Sequence, residues 1–410
     1  MLGQVASPLG RIRELFALPG YRPLWFGAVM FAFGAWTERV AIGWYVFDKT
    51  DSAFITAMAS AAFIAPGLIV GPIAGALSDS VPRPRILASA AALKMTAVLC
   101  IAVFARNPEA SLPLILGLVL LSGVGLSLNI SSLHTLSGDL VGSARRARAI
   151  SVVSTGQRAV SAVGALGAGA LISEFGATPS FLLAATAMLG ASLSYRSISE
   201  PAVRRTARAS AFLADTLSGL KLVTRVPLVA LLLALTVIIE VFGFAFMALF
   251  PALVDRILEM DAGGLGALTG AASVGGVIGT LLLASLSDRG RLGVVFLVVI
   301  AAFGAAMLTI GLSQWFVVSL FLAAGIGCCA AMFDALQWIL LQAGVDDALR
   351  GRALGAWNVA IGFGWLGPLI LGAIADAVSV TAAFAVAGTV LLATAAVVSL
   401  GARQLRTLSS

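Results

Sequence analysis

The chain has 410 residues, of which 60% are hydrophobic and only 11% charged, and its mean hydropathy is +1.04. Soluble globular proteins carry about 25% charged residues and about 45–50% apolar ones, so a water-soluble fold is excluded. A formal net charge of +7 is therefore to be read against a bilayer, where basic residues report topology, rather than against nucleic acid.

Apolar runs cut at charged or Gly/Pro-rich breaks predict twelve membrane-spanning helices, each needing about 20 residues. They begin near Pro23, Phe54, Ile86, Leu112, Ala147, Thr178, Pro227, Gly264, Leu292, Trp315, Ala353 and Thr381. Continuous apolar runs of this length exclude a barrel, whose strands alternate over about ten residues. With both termini cytoplasmic, 20 of the 26 basic residues fall on the inner side and three, Lys49, Arg106 and Arg256, on the outer. That asymmetry predicts an inner (cell) membrane protein with both ends in the cytoplasm. The opening MLGQVASPLGRIRELF lacks the apolar core and small-residue cleavage site of a removable signal. The cysteines Cys100, Cys328 and Cys329 lie in apolar runs and suggest neither a disulfide framework nor a metal site.

The longest polar stretch, Arg196 to Arg225, divides the chain into a six-helix bundle at 1–195, a linker at 196–226 and a second bundle at 227–410. Within the linker, Leu213, Leu217, Leu220 and Val223 recur at helical spacing beside Lys221 and Arg225. This suits either a helix lying on the inner leaflet or a solvated linker helix.

The halves echo one another. GALSDSVPRPR at Gly75–Arg85 returns as ASLSDRGR at Ala284–Arg291, and SGVG around Gly123 and Gly125 returns as AGIG around Gly325 and Gly327. RARAI at Arg146–Ile150 returns as RGRAL at Arg350–Leu354, and VGALGAG at Val163 as LGPLILG at Leu366, all at offsets between 202 and 209. Four matches in one order indicate a duplicated six-helix unit.

On these features the chain resembles the major facilitator superfamily over essentially its whole length. The loop signature GxLxDxxxRxR is met by Gly75, Leu77, Asp79, Arg83 and Arg85, and a second, degenerate copy keeps Leu286, Asp288, Arg289 and Arg291. The stretches YRPLWFGAVMFAFGAWTERVAIGWYVFDKTDSA and DDALRGRALGAWNVAIGFGWLGPLILGAIAD are similar to the branch containing the enterobactin exporter and macrolide-efflux permeases. The resemblance implies an all-α fold of two pseudo-symmetric bundles. It also implies transport by alternating access, with the first, fourth, seventh and tenth helices lining the cavity. The fifth helix departs from the antiporter signature, since Gly164 is followed by Ala165 rather than Pro.

In that frame Asp79 and Asp288 are expected to face the positive N-terminal ends of the eleventh and fifth helices across the cytoplasmic mouth. A solvated turn held by nearby arginines is the alternative. Charges inside spans mark functional positions because burying them is costly. Glu38 and Arg39 in the first span, Arg158 in the fifth, Glu240 in the seventh and Asp334 in the tenth are the expected proton-coupling or substrate-contacting groups. A permanent ion pair such as Glu240 with Arg158 is the competing reading, and Lys94 is expected to pair within its own half. Trp36 and Trp357 are candidate flat walls of the cavity. Asn129, Gln337 and Asn358, with Gln157, are candidate hydrogen-bonding groups. His134, the only histidine, lies toward the inner end of the fourth span, where a hydrated helix-end residue is favoured over a proton carrier.

No phosphate-binding loop, metal-ligand spacing or nucleophile beside a base is present, so neither an enzyme nor a cofactor is expected. The reading is a monomeric secondary transporter exporting an amphipathic small molecule against protons. An importer or facilitator of the same fold is one alternative; a non-transporting scaffold or sensor is another.

Overall fold

A computed structural model describes residues 8–70, 73, 77, 81–107, 109–142, 145–199, 226–286, 292–345 and 349–401. The linker at 200–225 and the loop residues Gly75, Asp79, Asp288, Arg289 and Arg291 lie outside the described residues. So do the expectations placed on them.

The described elements are all helical. After α1 (Pro8–Ala17), the first six spans are α2 (Tyr21–Thr50), α3 (Ala53–Ile64), α4 (Arg83–Phe104), α5 (Leu112–Val141), α6 (Arg146–Phe175) and α7 (Ala177–Arg196). The seventh span comprises α8 (Pro227–Ile238), a π-turn (Ile239–Gly243) and α9 (Phe246–Arg256). Then come α10 (Ala262–Leu286), α11 (Leu292–Leu312) and α12 (Phe316–Ala343). The eleventh span is α13 (Arg350–Ile361), a 3₁₀ turn (Gly362–Trp365) and α14 (Leu366–Ala377), and α15 (Val380–Gly401) is the last. Each of the twelve starts lies within three residues of the position expected from the sequence.

Among the described residues, ten helices are long and apolar enough to cross a bilayer. The other two, α2 and α6, have 30 residues each, ample length at about 1.5 Å per residue. Their hydropathy is lowered by Glu38, Arg39 and Arg158.

Within the first six spans α4 packs on α5 and α7, and α2 on α6 and α7; within the last six, α10 packs on α12 and α11 on α15. The two most extensive contacts between the sets are α6 with α10 and α3 with α14. The first is backbone on backbone. A Cβ placed on Gly169 would stand 2.6 Å from the carbonyl oxygen of Ala262, and one on Gly266 2.7 Å from that of Ala165. Only glycine permits this approach, the small-residue packing by which membrane helices associate without a hydrophobic driving force between them.

Candidate functional site

A cavity of about 520 Å³ opens between the first six and the last six spans. That is within the range of small-molecule sites, about 300–1,000 Å³. Its walls come from α2, α3, α5 and α6 on one side, and from the π-turn, α9, α10, α12 and the eleventh span on the other.

Of the expected residues, Trp36, Arg39, Asn129, Arg158, Glu240 and Asp334 line this cavity, with Gln157 and His134. His134 therefore faces the cavity rather than sitting as a plain helix-end residue. Asn129 is anchored from behind, donating to the hydroxyl oxygen of Tyr195 at 3.3 Å. Arg39 lays its guanidinium over the Trp36 ring at 5.5 Å and the Phe63 ring at 5.9 Å.

Glu240 owes its position to a local irregularity. It sits in the π-turn that interrupts the seventh span, and such bulges turn a side chain off the regular helical face. Opposite, the 3₁₀ turn of the eleventh span brings Gly364 so close that a Cβ there would lie 3.0 Å from Glu240 Oε2. Asp334 interacts electrostatically with both Glu240 and Arg158. Among the described residues neither carboxylate is locked in an ion pair, so the expected alternative of a permanent Glu240–Arg158 bridge does not hold. Arg158 packs across Gly276, where an added Cβ would lie 3.5 Å from Arg158 Nη1.

Four expected cavity residues are placed elsewhere. Glu38 turns into the first six spans, where its Oε2 lies 2.5 Å from Lys94 Nζ, both side chains fully buried. Ser122 closes the triangle, accepting from Lys94 and donating to Glu38 Oε1, and Lys94 lies 4.4 Å over the Phe63 ring. The local partner of Glu38 is thus Lys94, not the adjacent Arg39. Gln337 is buried and donates to the Leu232 carbonyl and the Thr236 hydroxyl, bracing α12 against α8. Trp357 packs edge-on against Trp338 at 5.2 Å, and Asn358 is exposed outside the cavity lining. Adjacent helical positions point about 100° apart, so a residue next to a cavity residue need not face it.

In the loop signature, Arg83 pairs with Asp139 of α5, inside the first six spans. Arg85 is exposed at the start of α4.

A further cluster was not anticipated. At the end of the cavity marked by the α2–α3 turn, Asp376 of α14 accepts from the Ser52 hydroxyl and from the amides of Ala53 and Phe54 at 2.9 Å each. Arg256 of α9 bridges Asp376 at 3.2 Å and Asp51 at 3.3 Å. The closure therefore ties the last six spans to the first. The unanticipated cavity walls are mainly aromatic and small: Phe31, Phe244, Phe246, Ser60 and Ser273. Nothing in their sequence context separates them from ordinary packing residues.

The cavity between two six-span sets, with charges of both signs in it, has a volume suited to a small solute. Comparisons with known proteins identify the family. Residues 15–408 match the family described as transmembrane secretion effector, within the major facilitator superfamily. The chain is 27% identical over 322 residues to the enterobactin exporter EntS of Shigella flexneri, covering 77% of this chain and 75% of that one. It is equally similar to EntS of Escherichia coli O81 (strain ED1a). Among solved structures, the nucleoside transporter NupG superposes with a TM-score of 0.74 at 12% identity, over 93% of this chain and 98% of that one. A bacterial homologue of the human lysosomal transporter Spinster gives 0.67 at 14% identity, over 94% and 96%; at these identities the likeness concerns the fold. The chain belongs to the transmembrane secretion effector family of the major facilitator superfamily, and is a multi-pass membrane transporter of small molecules rather than an enzyme.

Proposed function

We propose that the chain is a proton-coupled exporter of an amphipathic small molecule, acting as a monomer in the inner (cell) membrane with both termini cytoplasmic. In this scheme residues 1–195 and 227–410 are two rocking units joined by the linker at 196–226. The observation that carries the reading is the meeting of Glu240, Asp334 and Arg158 in one cavity. A carboxylate in a dry setting gains by holding a proton, and one beside a guanidinium gains by releasing it, so rearranging the two units can load and unload a proton. Closure by Asp376, Arg256 and Asp51 at one end, with the cavity reaching His134 toward the other, supports a state open toward the cytoplasm. The exporter names of the relatives support the direction.

The test is transport in proteoliposomes. Glu240→Gln or Asp334→Asn should abolish accumulation driven by a pH gradient while leaving gradient-free exchange, which needs only the site and the rocking motion. Full gradient-driven accumulation by both variants would refute proton coupling through these carboxylates. Uptake from the side bearing Glu109, in the physiological gradient, would mark an importer instead.

A further inference from the structure

We infer that Arg39 anchors the anionic group of the substrate, so that the transported class is an aromatic carboxylate or similar planar oxyanion with a flat apolar body. This deepens the export reading in one respect, resting on the central cavity being the substrate site.

The inference begins with where the charges are spent. Glu38, the residue beside Arg39, is held by Lys94 and Ser122 away from the cavity, so it is already neutralised and unavailable as a counter-ion. Among the described residues Arg39 forms no ion pair. Across the cavity, the electrostatic partner of Glu240 is Asp334, and that of Asp334 includes Arg158. Lys94, the other cation near Arg39, is balanced by Glu38. On the wall formed by the first six spans, Arg158 therefore has Asp334 to balance it, whereas Arg39 has no acidic partner among the described residues, and such a charge at membrane depth is costly unless a partner arrives.

Geometry supplies the rest. The Arg39 guanidinium lies 5.5 Å from the centroid of the Trp36 ring and 5.9 Å from that of Phe63, close enough for cation–π attraction, and its planar fork fits a carboxylate in two parallel hydrogen bonds. Phe31, Phe244 and Phe246 line the same space, giving an aromatic body apolar surface beside the charge. Glu240 and Asp334 belong to the opposite wall, contributed by the last six spans, so an anion on Arg39 is not bound against its own sign.

The test uses the purified full chain and four probes: 2-naphthoate, 2-naphthamide, 2-naphthylmethylammonium and inorganic phosphate. Binding to the folded state raises the thermal midpoint by mass action. Naphthoate should raise it in a saturable way, and the amide, the ammonium and phosphate should not. Arg39→Gln should weaken naphthoate about tenfold or more, the worth of a charge-assisted pair, and Arg39→Lys, which keeps the charge and loses the fork, by less. If Arg39 were merely structural, Arg39→Gln would lower the midpoint without probe and leave the naphthoate affinity unchanged; that result overturns the inference. So does stabilisation by the ammonium or the amide equal to that by naphthoate, stabilisation by phosphate alone, or no shift with any probe. Should Arg39→Gln not fold, the probe series on the native chain and on Arg39→Lys decides the matter. The assay involves no proton gradient. Naphthoate binding without gradient-driven transport would sink proton-coupled export and leave this inference standing. Coupled transport of a neutral or cationic probe without naphthoate binding would do the reverse.

Discussion

Asp376 and Ser52, 324 positions apart, hydrogen-bond at 2.5 Å, and through this contact a carboxylate of the eleventh span caps the helix of the second. Two amides of the first turn of α3 are satisfied from the other half of the molecule, as an N-cap satisfies them locally.

Removing this cap should favour the state open at that end. Loss of an N-cap costs about 1 kcal/mol, and the partly exposed Arg256 pairs add little, so Asp376→Ala should shift the conformational equilibrium about fivefold. In a variant with Cys100, Cys328 and Cys329 replaced, a cysteine at cavity-lining Ser273 should react several-fold faster with an impermeant thiol reagent from the side bearing Asp51. An unchanged rate would mean that the cluster carries no closure.

The triangle of Glu38, Lys94 and Ser122 makes a prediction about stability rather than transport. Glu38→Gln leaves Lys94 charged and unpaired in a fully buried site, a change that costs about 3–5 kcal/mol. Replacing both, as Glu38→Gln with Lys94→Met, should recover most of that loss. Thermal unfolding in detergent reads both values. A mild effect of Glu38→Gln, with no recovery in the double variant, would show that the pair is not coupled.

Orientation can be tested at two exposed positions that flank spans on opposite sides, Glu109 and Ser197. In intact cells a cysteine at Glu109 should be labelled by an impermeant reagent and one at Ser197 should be protected. Labelling of Ser197→Cys alone would invert the topology.

The architecture was legible because bilayer physics writes it directly into the chain: runs of about 20 apolar residues, charged breaks and a repeated loop motif. The cavity was legible in part. Charges inside spans pick out the correct residue types, yet charge alone does not say which way a side chain turns. Glu38 and Arg39 adjoin in sequence, and one faces Lys94 while the other faces the cavity. Lys94 was the clue, since a buried cation in a neighbouring span demands a partner. Gln337 was misjudged for the same reason, because Thr236 one helix away satisfies it. The Asp376 cluster depends on contacts between residues 120 to 324 positions apart. Its only trace was an acidic residue ending the eleventh span and one of the few basic residues on the sparse side.

The π-turn that carries Glu240 gives the most discriminating experiment, because two glycines of the eleventh span face it with opposite consequences. A methyl group on Gly364 would meet Glu240 Oε2 at 3.0 Å, the movable end of a side chain, whereas one on Gly367 would stand 1.9 Å from the carbonyl oxygen of Val241. The first contact can be relieved by turning the carboxylate; the second only by separating the seventh and eleventh spans. Gly364→Ala should therefore leave stability within about 0.5 kcal/mol and still reduce gradient-driven transport, since it displaces the group proposed to carry the proton. Gly367→Ala should cost about 1–3 kcal/mol through overpacking and lower the thermal midpoint. Measured side by side, the two variants separate the setting of Glu240 from the packing around it. Wild-type coupled transport by Gly364→Ala would show that coupling tolerates a small shift of the Glu240 carboxylate, and the Glu240→Gln variant would then decide between Glu240 and Asp334 as the proton carrier.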